Sequence, residues 1–335
     1  IEQDSVSELV FWILEASTNE TKPQLVCRCL NCYVLLLPED WNFLDLDQSR
    51  LTRHFELIMK LCDDSNDNIR RDACKALGEF SSAYLTVERL SSLHDLLIPA
   101  DIPNRICRSM FHVLKHDKSA AVRSMSIFAL GNVAVATMDY FEIMTVDSAV
   151  EITNALCEAL NDSNDKVVGN AIRSVGHWGN IVARMSKALT ESQTFRCIVQ
   201  VIDSLSQRVD RTLAAASTDK QREMSWRERS AAKKHGWGAC YSLGRVFAGM
   251  ASWPDSLMDQ QSLLHAVRNL VRCIQREQTL LLSEKVVLSA MTSLRVMKPC
   301  QLGAISGKHG VVGEAIVGCC VVLFSDVCNV KFQQE

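Results

Sequence analysis

The sequence predicts an all-α chain, an α–α superhelix of about five to six stacked helical hairpins. Three observations predict it. Helix breakers are scarce, with 6 prolines and 14 glycines in 335 residues, and helix interiors exclude both. Four segments align without gaps on a glycine: DNIRRDACKALGEF (67–80), AAVRSMSIFALGNV (120–133), DKVVGNAIRSVGHW (165–178) and KKHGWGACYSLGRV (233–246). An amphipathic stretch and a polar turn precede the three clearest copies.

The columns of that alignment carry the physics. Ala73, Ser126, Ala171 and Ala239 are small, and Leu77, Leu130, Val175 and Leu243 four residues on are apolar. Between them lie a buried-type column (Cys74, Ile127, Ile172, Cys240) and a second small one (Ala76, Ala129, Ser174, Ser242). Spacings of three and four mark one helix face. Gly78, Gly131, Gly176 and Gly244 extend the small stripe, so a neighbouring helix can approach closely. In this register His177 shares a polar slot near a helix end with Glu79, Asn132 and Arg245, and is expected to tolerate truncation. Trp178 shares an apolar slot with Phe80, Val133 and Val246, and Gly179 is expected to help end its helix.

Taken in order, PQLVCRCLNCYVLLL (23–37) reads as a faint second helix before the first good copy. The amphipathic stretches 51–62, 105–116 and 149–160 each lead into one of the first three aligned helices. Asp64, Asp117 and Asp162 mark the turns, where a carboxylate can accept N–H bonds at the helix start or meet an Arg of an adjacent repeat. EKVVLSAMTSLRVM (284–297) closes the series, with Arg295 in the glycine column. The intervals between columns are unequal, as in a solenoid with loops of different length. The array is expected over 1–298.

The pattern D…VR…A…ALG resembles the HEAT repeat of the armadillo-type superfamily. The order RSMSIFALGNV, SNDKVVGNAIRSVGHWGN, WGACYSLGRVF resembles the C-terminal region of one HEAT-repeat family more particularly, over roughly 60–298. Its most specific parts are 161–180 and 237–247; Val168 in place of Arg, and His235-Gly236, depart from that family's pattern. The resemblance implies a non-catalytic fold that binds other proteins.

The interval from Gly176 to Gly244 is the longest and marks a basic insertion at 204–234, with eight positive residues against four negative. Without sustained apolar periodicity, it is expected as a solvated, partly disordered loop, or alternatively as a basic arm for an acidic partner. Residues 299–335 read as a Gly-containing loop and an apolar C-terminal segment, an incomplete further repeat. GAISGKHG within it lacks the spacing and the Ser or Thr of a phosphate loop.

No chemistry organises itself in this sequence. Cys27, Cys29 and Cys32 form the one tight cysteine cluster, with no second pair to complete a zinc site. His112 and His116 are one helical turn apart, but Val113 stands where a zinc protease needs Glu. No nucleophile elbow occurs. The expectation is no enzyme, no cofactor and no metal.

Fourteen cysteines without secretory marks fit a reducing, intracellular setting, in cytoplasm or nucleus. The chain opens on Ile1, as a fragment or processed product would. The apolar run AIVGCCVVLF is too short to span a bilayer.

The net charge is −3, yet the four aligned helices carry nine positive residues against four negative. The expected site is a curved, locally basic helical face holding Arg123, Arg173, Lys233, Lys234 and Arg245. The opposing reading gives Arg70 and Arg123 to the Asp turns. A protein-interaction scaffold with a protein partner bearing an acidic segment is the first function expected. An importin-like cargo or chaperone adaptor is the second. A nucleic-acid-associated repeat protein is the third, disfavoured by the acidic total and by a lack of interleaved aromatics.

Overall fold

The computed structural model describes residues 12–13, 15–16, 22–36, 48–84, 101–138, 144–185, 193–216, 223–253, 260–275 and 284–297. Eleven α-helices and one 3-10 turn stand among them, with no strand. The segment 299–335 lies outside the described residues.

The chain forms two compact units, Ile1–Trp178 and Gly179–Glu335. In the first unit α1 (Pro23–Leu36) is followed by α2 (Gln48–Leu61) and α3 (Asp67–Tyr84), then α4 (Ile102–His116) and α5 (Ala120–Ala136), then α6 (Val146–Ala159) and α7 (Asp165–Met185), which belongs to it as far as Trp178. The second unit takes the rest of α7, then α8 (Gln193–Ala215), α9 (Trp226–Gly249), α10 (Gln260–Gln275) and α11 (Glu284–Val296). First helices pack on first helices, α4 on α6 and α8 on α10, while second helices pack on second, α3 on α5 and α9 on α11. The all-α helical-hairpin architecture predicted from the repeat columns is the fold of the described residues.

Each hairpin forms where the apolar face finds its neighbours. On α4, Ile106, Met110, Val113 and Leu114 are buried at the three-and-four spacing of an amphipathic helix. The turns are built by their Asp residues. Asp64, Asp117 and Asp162 each accept the N–H two residues on, from Asn66, Ser119 and Asn164, at 2.7, 2.8 and 2.8 Å. This local ring fixes the tight reversal before the second helix. α9 starts instead at a capping box, Ser225 and Glu228 bonding each other's backbone N–H.

The glycine columns do what their spacing predicts. A methyl at Gly78 would meet Ala129 Cα at 3.0 Å, and one at Gly244 would meet Ser293 Oγ at 2.5 Å and Cα at 3.0 Å. At Gly131 it would collide with Ser174 Oγ, with Ser174 Cβ 3.3 Å away. In all three the opposing residue stands two positions before the glycine column of the next second helix. Close approach lets the serines bond across: Ser174 Oγ donates to Ile127 O at 2.8 Å, and Ser293 Oγ to Cys240 O at 2.6 Å. Where Ala129 has no hydroxyl, Asn132 Nδ2 donates to Gly78 O at 3.1 Å.

Three expectations need correction. The helices run past the glycine column, α7 to Met185, so Gly179 is interior and not a terminator. It is a second contact glycine, where a methyl would meet Val246 Cγ2 at 2.9 Å. His177 is buried, 4% exposed, and α7 runs on to Met185, so its polar slot lies inside the packed helix and not near a helix end. Residues 204–215 and 226–234 are helix, the end of α8 and the start of α9, and not a loop. Leu205, Val209, Thr212 and Leu213 are buried along α8 at helical spacing, a stripe hidden in the sequence by the charges between them.

Trp178, the last residue of the first unit, is 1% exposed, with Nε1 donating to Leu130 O at 3.0 Å. Trp178→Ala should lower stability by about 3–5 kcal/mol in urea unfolding. Gly131→Ala should cost about 1–3 kcal/mol, and adding Ser174→Ala should restore part of it, because the hydroxyl is the main obstacle. Gly244→Ala should gain much less from Ser293→Ala, since Ser293 Cα is itself in the way; equal rescue at both sites would refute this packing.

Candidate partner-binding face

The five basic residues expected at a binding face take different structural roles. Arg123, at the start of α5, reaches Asp162 Oδ2 with Nη2 at 2.8 Å and Nε at 3.2 Å. Its Nη1 donates to Asp117 O and Lys118 O at 3.0 and 3.1 Å. Arg70 does the same one repeat earlier, binding Asp117 at 2.7 and 3.2 Å and the carbonyls of Asp64 and Ser65. Each arginine closes its own turn and grips the Asp of the next hairpin. The series stops at α7, where Val168 is buried in the arginine's place.

These rungs are partly buried and charge-assisted. Burial alone would raise the Asp117 carboxyl, but the Arg70 and Ser119 hydrogen bonds outweigh it and hold the group below the ordinary range. Asp162 is held low in the same way, by the Asn164 N–H and Arg123 against burial.

Arg173, on α7, is half-buried. Its Nη2 donates to Asn132 Oδ1 at 2.8 Å, and its guanidinium lies 5.4 Å from the Phe128 ring centroid. It therefore extends the polar layer that begins at Gly78 O. In the second unit Arg245 is half-buried, and its carbonyl accepts from Asn180 Nδ2 at 2.6 Å. Lys233 and Lys234 are exposed on α9. The pair forms no ion pair with any described carboxylate.

Part of the charge in 204–234 also serves packing. Asp210 on α8 accepts from Arg272 of α10 at 3.2 Å and contacts His265 Nε2 at 2.9 Å. Missing from the sequence-based site are the exposed aromatics of α9, Trp226, Trp237 and Tyr241. A signal for them existed, since Trp237 and Tyr241 lie off the Ala239–Cys240–Leu243 stripe.

Among the described residues no group of three or more His, Cys, Asp or Glu side chains could hold a metal ion. The His112 and His116 rings lie with centroids 4.6 Å apart and planes tilted by 48°, and no third ligand joins them among the described residues. Cys29 is buried, Cys27 half-buried and Cys32 exposed, and none of the three is in a disulfide. Burial, with Asp72 nearby, pushes the Cys27 thiol up to about 11, and burial pushes Cys197 up to about 12. Such thiols pack as small apolar groups. No described helix is long and apolar enough to cross a membrane.

The family model of the HEAT repeat matches residues 55–84, the hairpin of α2 and α3. Two engineered proteins solved by the Northeast Structural Genomics Consortium share the fold. One is 15% identical with a TM-score of 0.54, covering 86% of this chain and 98% of its own. The other is 16% identical with a TM-score of 0.50, covering 86% and 95%. A designed armadillo repeat protein is 14% identical with a TM-score of 0.47, covering 87% of this chain and 99% of its own.

Replacing Arg123 with Met should remove about 2–3 kcal/mol at neutral pH, because it leaves Asp162 with one charged partner fewer. Asp117 and Asp162 titrate lower in the folded state than unfolded. Their contribution is therefore complete above the ordinary carboxylate pKa near 4 and is lost as pH falls through it toward the folded values. Urea midpoints taken from pH 7 to pH 3 should fall more shallowly in Arg70→Met/Arg123→Met than in the parent. Parallel curves would show that the rungs contribute nothing.

Proposed function

We propose that this chain is a non-catalytic protein-interaction scaffold that presents a locally basic helical face to a protein partner with an acidic segment. The observation that carries the reading is the exposure of Lys233 and Lys234 side by side on α9 without a described carboxylate partner. Unsatisfied like charges on a packed second helix repel each other, and an acidic ligand relieves that repulsion. Arg245 stands half-buried on the same helix, while Arg173, in the first unit, is held by Asn132. Arg123 contributes through stability, since its guanidinium is committed to Asp162.

A repeat array offers long surfaces in place of a closed, water-excluding pocket, which supports binding over catalysis. The order of the ALGN, NAIRSVG and WGACYSLG helices supports kinship with the C-terminal region of HEAT repeat-containing protein 6. Cysteines without disulfides throughout the described helices fit a reducing intracellular setting, cytoplasm or nucleus.

Affinity capture of the tagged full chain from cells, read by mass spectrometry, tests this. Lys233→Glu/Lys234→Glu should keep the parent's melting temperature and lose a reproducible partner set by at least about tenfold, the effect of one charge contact worth about 1.4 kcal/mol. The same partners at the same recovery would sink the basic-face reading.

A further inference from the structure

We propose that the outward stripe of α9 and α11 in the second unit docks an extended acidic–aliphatic segment of a protein partner. This rests on the scaffold reading and names the chemistry of its ligand. Among the described residues of this unit the exposed large hydrophobic side chains are Trp226, Trp237, Tyr241, Leu288 and Val296, at 73%, 45%, 42%, 53% and 38%. All of them stand on the second helices, and none on α8 or α10. Surface apolar groups scattered at random need no explanation, but a set confined to two neighbouring helices does.

Helical geometry makes a track of them. Trp226 and Trp237 are three turns apart on α9, within about 20° of the same direction, and Tyr241 follows one turn later. The aromatics run along about 22 Å of helix, with Lys233 and Lys234 between them. On α11, Lys285 and Leu288 continue the surface sideways. Lys285 Nζ lies 5.8 Å from the Trp237 ring centroid, so the two helices meet at this residue pair. The inner side of the same helices is occupied by the Gly244–Ser293 contact and the bond to Cys240 O. The stripe is the face that packing leaves over.

Its charge selects the ligand. Lys233, Lys234 and Lys285 are exposed, and Glu228 is the one carboxylate among the described side chains of α9 and α11. Glu228 is held by Ser225 at the first turn, away from the lysines. Lysines between aromatic rings suit a chain that alternates carboxylates with apolar side chains, lying extended along the helix. Single-stranded nucleic acid also uses aromatics and lysines, but bases stack on π-faces and Leu288 and Val296 supply none.

The test pans a phage-displayed library of random 12-residue peptides against the full chain. The Trp237→Ala/Leu288→Ala chain serves for counter-selection; both side chains are exposed, and matched melting curves verify folding. Enriched peptides should combine Asp or Glu with Leu, Ile, Trp or Pro. Their affinity should fall at least tenfold on Trp237→Ala or Lys234→Glu and stay unchanged on Arg268→Glu, on the exposed side of α10. No enrichment, basic consensus peptides, or peptides indifferent to Trp237 overturn the proposal. So does a 12-nucleotide oligothymidylate that binds the stripe more tightly than every selected peptide. If panning fails while Lys233→Glu/Lys234→Glu still empties the cellular capture, the docking chemistry is wrong and the scaffold stands. If both fail, the basic face itself is refuted.

Discussion

How closely one second helix can approach the next decides most of this structure. At Gly131 and Gly244 one helix presents no Cβ, and the facing helix presents a serine. The gap is then small enough for the serine hydroxyl to reach a backbone carbonyl across the interface, at Ile127 or Cys240. A carbonyl has two lone pairs, so it can keep its helical bond and accept this one as well. Dispersion and hydrogen bonding thus fix the same register, and neither survives a larger side chain. The Gly78 interface reaches the same end differently. Ala129 is small but cannot donate, and the polar connection moves to Asn132, three residues further along. Asn132 in turn accepts from Arg173, which links α3, α5 and α7 through one buried amide.

The Asp turns hold the hairpins at their other end. Asp117 and Asp162 each serve two purposes, ordering their own turn and receiving an arginine from the preceding hairpin, and Arg70 and Arg123 also cap their own turns' carbonyls. This sorts the basic residues of the chain. Arg70 and Arg123 belong to the framework, Arg173 and Arg245 are half-buried, and Lys233 and Lys234 are exposed. A positive excess counted along the sequence therefore overstates the charge offered to a ligand. Of the five residues expected at the face, the two exposed ones lie on α9, the helix that also exposes three aromatic rings.

The hairpin order, the turn residues and the small columns were legible because each leaves a periodic trace: three-and-four spacing, an Asp at a fixed distance, a glycine in one column. Helix ends were less legible. Gly179 reads as a stop signal when isolated, but it sits inside α7 because Val246 and Val201 reward the close approach. His177 reads as a polar residue near a helix end, but α7 runs on to Met185 and the side chain is buried, as is Asn132 of its column. The stretch 204–234 looked unstructured because charged residues adjoin Val209 and Thr212 of α8, and Asp210 is paired with Arg272 of α10, a contact that no local window contains. The candidate face was half legible. Residue type located the lysines, but separating them from the structural arginines required knowing which Asp each guanidinium meets.

The close-packing register is tested most directly by hydrogen exchange on a Ser174→Val variant. Valine adds bulk against Gly131 and removes the hydroxyl that bonds Ile127 O. Faster exchange is expected in both α5 and the α7 residues up to Trp178, with α1 and α2 least affected, because the two second helices lose one shared contact. Acceleration confined to α7, or none at all, would contradict the dependence of the stack on that approach.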